Sequence, residues 1–469
     1  MKLKLFVTIV TTKILIIICR ILKHGGTTLP GKVARIMFPN ILDILSSDLT
    51  IIFITGTNGK STTLRIIAKI LEENKIKYIS NKSGANLIAG IFSTFIGGSR
   101  LDGSIDAKAA LIEIDEATFP IMADYLNPNI LIVTNFFSDQ SDRYGNVHTP
   151  VNRVKDGISK CKDTSVILNA DDPLCASLSD AVKGNVVFYG FDSSAFRADN
   201  KAQCDDIIPC INCNNRYEYT FGTYNHLGEY YCPSCGYKRP SPDVCITDIH
   251  ELNSEYSKVS VKLSDNMVAA NDANSIFDAA INLPGLYNIY NALPAVACGL
   301  ILNIPLGKII NGVAHFENAF GRMETIKSGD KTIKLILVKN AVGCNQVLDY
   351  LLTDQNQCII AFAINDKIAD GTDISWIWDV DFEKFCTVQN KVTAFITSGT
   401  RTADIAVRLK YAGIAPEKIA VMNDYHSVID ISLQLLKHNQ TLYLLPNYTA
   451  LFDIRKHLGN KFKINKFWE

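Results

Sequence analysis

The chain has 469 residues, 47% of them apolar and 20% charged, so it can bury several cores in an ordinary globular protein. Lys and Arg together number 47, as do Asp and Glu, which removes the basic surface that a nucleic-acid partner would need. The 13 cysteines are an odd count and scattered, which fits a reducing cytoplasm better than a disulfide framework.

Residues 1–48 form an apolar to amphipathic segment. Lys2 and Lys4 precede Leu5-Phe6-Val7, and Ile14 to Cys19 is solidly apolar. Lys13 interrupts, so no run reaches the roughly 18–20 residues of a membrane-spanning helix. Cys19-Arg20-Ile21-Leu22-Lys23 lacks the small residues of a signal-peptide cleavage site. Two placements stay open: a helix on a membrane surface, or one packed on the next domain, with a true span as a lesser alternative.

Leu49 to Thr63 reads LTIIFITGTNGKSTT. A β-branched run, Thr50 to Ile54, predicts a buried strand. It breaks into Gly56-Thr57-Asn58-Gly59-Lys60-Ser61-Thr62, and a helical pattern follows. Strand, glycine loop, Lys-Ser and helix make a phosphate cradle: backbone N–H groups turn toward the anion and Lys60 adds a full charge. Ser61 or Thr62 can reach Mg²⁺. The loop departs from the common P-loop form, since Ile54 stands where that form has its first Gly. A strand-to-helix turn without a ligand is the plainer alternative.

Strands then alternate with helices and end in polar residues: Ser80 before Asn81, Ala109–Ile114 at Glu113, Asp115 and Glu116, Ile130–Thr134 before Asn135, Ser165–Leu168 before Asn169-Ala170-Asp171-Asp172-Pro173. Asp139 and Asp142-Arg143 lie just beyond the third of these. This alternation predicts a parallel, doubly wound sheet with its ligands beyond the carboxyl ends of the strands.

The pattern breaks at Cys210 to Gly236, CINCNNRYEYTFGTYNHLGEYYCPSCG. Two C-x2-C knuckles, Cys210/Cys213 and Cys232/Cys235, have the spacing of a zinc ribbon. Four thiolates leave no open position on Zn²⁺, so the metal is expected to be structural. Cys204 does not fit the spacing. An α/β pattern resumes by Asp278, and Leu283 to Asn291 leads into an Ala-rich helix from Ala292. From Ile333 five strands recur, each ending in polar residues, which predicts a second, Rossmann-like domain. The expected division is an ATP-binding domain over 49–318, with the ribbon at about 204–240, and a C-terminal α/β domain over 319–469.

TGTNGKSTT, the Glu113 strand end, NADDP and GLYNIYNA resemble the ATPase core of the Mur ligases and folylpolyglutamate synthases. LVKNAVGCNQVL, NDKIADGTDISWIWDVDFE, TSGTRTADIAVRLKYAG and LPNYTAL narrow the resemblance to the MurT family, the synthetase subunits of lipid II isoglutaminyl synthases. It extends over nearly all of the chain from Leu29.

The resemblance implies a Mur ligase-type fold and ATP-dependent amidation of the D-glutamate α-carboxylate of the lipid II stem peptide through an acyl phosphate. Ammonia would come from a GatD-like glutaminase partner. It further implies that Lys60 holds the β/γ-phosphates and that Ser61 or Thr62 and Glu113 hold Mg²⁺. Gly56, Thr57, Asn58 and Gly59 would line the ATP site, Asn288 and Asn291 lie near the base, and Arg322 approaches the phosphates. Asp373, in DGTDISW, would complete a Cys-His pair on the glutaminase; Asp370 competes for that role, and capping of Ser375–Trp378 is the plainer alternative. Asn288 and Asn291 could equally cap the Ala292 helix, Glu113 could be a solvated strand end, and Arg322 an interdomain ion pair. Ala341 and Cys344 depart from the family pattern, where Pro and an apolar residue are expected. No Cys-His nucleophile pair is evident in this chain, with Cys344 alone kept open.

The implied location is cytoplasmic, with a peripheral position at the inner face of the cell membrane where lipid II lies. Two rivals remain: a stand-alone amino-acid ligase, against which DGTDISWIWD argues, and a non-catalytic scaffold, against which Lys60, Ser61 and Glu113 argue.

Overall fold

The computed structural model describes residues 2–22, 28–81, 85–137, 147–196, 208–253, 255–316, 322–354 and 356–462. In chain order the first strands are β1 (Thr50–Thr55), β2 (Tyr78–Ser80), β3 (Ala109–Glu113), β4 (Ile130–Val133), β5 (Ser165–Asn169) and β6 (Val186–Phe191). A hairpin of β7 (Glu218–Gly222) and β8 (Gly228–Tyr231) follows, then β9 (Val244–Leu252), β10 (Ser257–Leu263) and β11 (Ile276–Ile281). All but the hairpin join one sheet in the order β11-β10-β9-β6-β5-β4-β1-β3-β2.

From β2 to β9 neighbouring strands are parallel. That explains their near-continuous apolar sequences, since both faces of a parallel sheet are covered. Ile52 and Ile54 of β1 point into one core cluster, Ile51 and Phe53 into the other. β10 is antiparallel to both β9 and β11. These last strands differ from the expected resumption of α/β structure: their burial alternates, as in Ile276–Ile281, because one face of this extension meets solvent.

Helices α1 (Lys2–Ile21), α2 (Thr28–Met37) and α3 (Ile41–Leu45) precede β1; α4 (Lys60–Glu73) follows it, and α5 (Ile88–Gly98) follows β2. Leu5 and Ile9 of α1 share a core cluster with Phe92 and Phe95 of α5, so one face of α1 is packed on the domain. The opposite face is apolar and exposed. No helix among the described residues is long and apolar enough to cross a membrane.

The remaining strands are β12 (Arg322–Ser328), β13 (Lys331–Ile336), β14 (Cys358–Ala363), β15 (Val392–Ser398), β16 (Ile419–Val421) and β17 (Thr441–Pro446), ordered β12-β13-β17-β14-β15-β16. β12 and β13 form an antiparallel pair at one edge, and the rest is parallel. Ile360 and Phe362 pack on one face, Ile359 and Ala361 on the other. The fold is thus α/β, two mostly parallel sheets with a four-cysteine insertion in the first domain.

Candidate active site

The cradle sits where the first sheet reverses direction, with β3 on one side of β1 and β4 on the other. Gly56 has φ +116°, and a Cβ there would lie 2.4 Å from Thr134 Oγ1. Gly59 has φ +88°, and its Cβ would lie 2.0 Å from Asn291 Oδ1. Both positions require glycine for conformation and for space. Strand ends hold the loop in place: Asn58 N–H donates to Asn135 Oδ1 at 2.9 Å, and Thr134 Oγ1 donates to the Asn58 carbonyl at 2.7 Å.

Lys60 opens α4. Its Nζ lies 2.8 Å from Glu116 Oε1 and also donates to the Gly56 carbonyl. Burial works against its charge, but the carboxylates of Glu116, Glu113 and Asp115 outweigh that and hold its pKa above the ordinary lysine value. Ser61 Oγ donates to Glu113 Oε2. Glu113 is buried, and its backbone is fixed by Asn81, whose Oδ1 accepts from Glu113 N at 2.9 Å and whose Nδ2 donates to its carbonyl at 2.7 Å. A hydroxyl and a carboxylate at the mouth of a glycine loop are the oxygen donors that a hard divalent cation takes.

A cleft, partly open to solvent, adjoins the cradle. Asn58, Gly59, Thr62, Tyr224, Asn288, Asn291, Lys339, Asn340 and Val347 are among its lining residues. Asn288 and Asn291 belong to a helix that starts at Leu286 rather than Ala292. Gly285, with φ +87°, sets that start, so both asparagines lie inside the first turns and neither is a cap. Asn291 Nδ2 donates to Asn288 Oδ1 at 3.3 Å, and Asn288 Nδ2 to the Pro284 carbonyl at 2.7 Å.

The second sheet closes the cleft. Asn340 Nδ2 donates to Asn58 Oδ1 at 3.2 Å, and Lys339 Nζ to the Thr57 carbonyl at 3.5 Å. Asn340 also caps the helix Ala341–Thr353, accepting from Gly343 N at 2.8 Å. Lys339-Asn340 is one of the polar strand ends of the second domain, and nothing in its local sequence brings it to a cradle 282 positions away. Cys344 is a buried core residue whose thiol is pushed up to about 12 by desolvation, an inert thiol rather than a nucleophile. Arg322 opens β12 opposite Ile336; its side chain lies outside the described residues, as do Asp139, Asp142, Arg143 and Cys204.

The four ribbon sulfurs lie within 4.8 Å of one another, a set that could hold a tetrahedral metal such as Zn²⁺. The knuckles match: Asn214 and Gly236, each just after the second cysteine of its pair, have φ +62° and +76°. Tyr217, Tyr230 and Tyr237 form a small ring cluster beneath them. The hairpin tip reaches the cleft. Tyr224 lines it, and His226 Nε2 lies 3.2 Å from Asp172 Oδ1. Arg239, after the second knuckle, donates through Nε to Asp171 Oδ1 at 2.6 Å, while Tyr290 OH donates to Asp171 Oδ2 at 2.6 Å. NADDP is therefore the anchor of the ribbon, a role that its place at a strand end did not reveal.

In the second sheet most polar strand ends bind one another. Asn365 N–H donates to Asn447 Oδ1, Thr400 N–H and Tyr425 OH donate to Asn365 Oδ1, and Asn365 Nδ2 donates to Thr449 Oγ1. Asp370 is buried, and both its oxygens accept from Thr449, at 2.7 and 2.5 Å. Asp373 is half-buried, with Oδ1 accepting from Ser375 N at 2.8 Å. Ile368 and Trp378 nearby in sequence are 82% and 52% exposed.

Comparison with known proteins follows this division. The MurT ligase C-terminal model matches residues 337–451, and the Mur ligase middle domain model matches 54–209. The lipid II isoglutaminyl synthase (glutamine-hydrolyzing) subunit MurT of Streptococcus pneumoniae is 34% identical over 442 residues, 94% of each chain. Its counterpart in Staphylococcus aureus strain COL is 32% identical over 93% of this chain and 94% of that one. A crystal structure of MurF from Acinetobacter baumannii has a TM-score of 0.65 at 14% identity, covering 93% of this chain and 80% of the other, a likeness of fold.

Proposed function

This chain belongs to the MurT family of Mur-type ligases, and from that membership we propose that it is the synthetase subunit that amidates the D-glutamate α-carboxylate of lipid II to D-isoglutamine. The observation that carries this reading is the intact cradle, Gly56 to Ser61 with Glu113, joined by Asn340 from the MurT-type C-terminal block.

Lys60, charged and fixed beside the loop, neutralises the β/γ-phosphates of ATP, and the backbone N–H groups at the start of α4 face the same anion. Ser61 and Glu113 would hold Mg²⁺, which would supply charge neutralisation at the phosphates. A substrate carboxylate oxygen attacks the γ-phosphorus, ADP leaves, and an acyl phosphate forms. Ammonia then attacks the acyl carbon, and phosphate departs. The protein's contribution is position and charge rather than a covalent bond. Asn288, Asn291 and Tyr224 shape the base end of the cleft, and the family resemblance gives Arg322 a role at the phosphates.

Ammonia comes from a partner glutaminase of the GatD type, which docks around Asp373. The support is local: Asp370 is buried with both oxygens on Thr449, whereas Asp373 is half-buried, bonded to Ser375 N, in a stretch whose Ile368 and Trp378 are exposed. The ribbon cysteines hold structural Zn²⁺.

ATP turnover with lipid II, assayed with glutamine and the glutaminase together, with ammonium alone, and with free amino acids, tests the reading. Amidation with the first two and none with amino acids is expected, and Lys60→Ala removes it. Amino-acid ligation without a glutaminase would replace the reading with a stand-alone ligase.

A further inference from the structure

Leu5, Thr8, Ile9, Thr12 and Ile16 of α1 are buried on the domain. The opposite side carries Leu3, Phe6, Val7, Ile14, Ile17, Ile18 and Ile21, all exposed, Leu3 to 76% and Ile21 to 73%. At 3.6 residues per turn these residues fall on one stripe. The same period sets Lys2, Lys13 and Arg20 along one border of the stripe and Lys4 along the other. Lys13, which interrupts the apolar run in sequence, does not interrupt this face. Its Nζ donates to the Gly97 carbonyl at 3.1 Å, at the C-terminal end of α5, where the helix dipole favours a cation.

No acidic residue occurs before Asp43, whereas seven Lys and Arg residues do. One face of α1 is committed to the domain core, and no described helix is long and apolar enough to cross a membrane.

We propose that α1 docks flat on an anionic phospholipid surface. The aliphatic stripe enters the boundary between headgroups and acyl chains, and the basic borders meet lipid phosphates. Charge favours lipid over a second copy of this chain paired helix to helix: the second α1 would bring the same basic borders, and α1 itself has no carboxylate to meet them. The inference stands apart from the amidation reading, because vesicle binding is measured without turnover.

The test is co-sedimentation of the full chain with vesicles of phosphatidylglycerol and phosphatidylcholine, and with phosphatidylcholine alone. The expected result is binding to the anionic vesicles that weakens as salt rises. Ile14→Asp with Ile18→Asp, both at exposed positions, lowers binding about tenfold or more, and Lys2→Gln, Lys4→Gln and Arg20→Gln together lower it severalfold, with thermal melting unchanged in both. Absence of vesicle binding overturns the proposal. So does equal binding by the wild-type and I14D/I18D chains, or a wild-type dimer in sedimentation velocity that I14D/I18D dissolves.

Discussion

Arg239 and Asp171, 68 residues apart, form a buried ion pair, with Nε 2.6 Å from Oδ1 and side chains 7% and 0% exposed. Arg239 also donates to the Phe191 carbonyl, so one side chain ties the end of the ribbon to both β5 and β6. Removing it leaves a buried carboxylate with Tyr290 and the Phe191 N–H but no cation. Arg239→Met is expected to cost about 3 kcal/mol of stability, read as a lowered midpoint in urea unfolding. An unchanged midpoint would show that the pair contributes nothing.

The cradle tolerates little at Gly59. Alanine there would hold a left-handed conformation at a cost of about 1–2 kcal/mol and displace Asn291 from the cleft. Gly59→Ala should weaken ATP binding about tenfold or more, measured by titration calorimetry with a non-hydrolysable analogue. Gly329, also with positive φ but with open space around it, is the control: Gly329→Ala carries a similar backbone cost and should leave nucleotide affinity unchanged.

Metal removal should reach beyond the ribbon. The knuckles' own buried core is four residues, Cys210, Tyr217, Tyr230 and Cys232, too little to hold them without metal, whereas Phe221, Tyr224 and Leu227 toward the hairpin tip pack into the domain core. Chelation, or Cys213→Ser, should abolish hydrogen-exchange protection at the knuckle end of β7 and β8 and weaken nucleotide binding as well, since Tyr224 loses the support of the strands behind it. Loss of bound zinc with full protection retained would contradict this.

Asp373 and Asp370 should separate cleanly. Asp373→Asn is expected to lower glutamine-dependent amidation by about a hundredfold or more, while the rate supported by ammonium chloride stays at the wild-type value. Asp370→Ala should instead destabilise the C-terminal sheet, because Thr449 loses both its bonds to Asp370. Equal losses with glutamine and ammonium for Asp373→Asn would remove it from the glutaminase side.

Much of this was legible because the relevant signals are local. A glycine loop between a buried strand and a helix, and two C-x2-C knuckles, declare themselves within a few residues. The alternating Ser257–Leu263 and Ile276–Ile281 also carried a period-2 pattern, yet the ribbon's break in the α/β rhythm hid their continuation of the first sheet. Relationships across long separations were not readable. Asn340 touches Asn58 across 282 positions, and Asp172 meets His226 across 54. For α1 the sequence leaves two placements open because its buried and exposed faces both carry large aliphatic residues, a case where periodicity marks a helix but not which side faces inward.

β6 and β9 are parallel neighbours, paired at Tyr189 and Val244, so residues 192–243 leave the sheet and return one strand-spacing away. Because the two strands run parallel, only a crossover of about a dozen residues or more could replace that excursion. The excursion nevertheless supplies Arg239 to the Asp171 carboxylate, buried just beyond the carboxyl end of the central strand β5, and His226 to Asp172. A shortened chain would keep its strand order yet bury Asp171 without its cation, whereas Asp172 would still accept from the N–H groups of Phe136, Leu174 and Cys175, so deletion of the ribbon succeeds only with Asp171 neutralised in the same step.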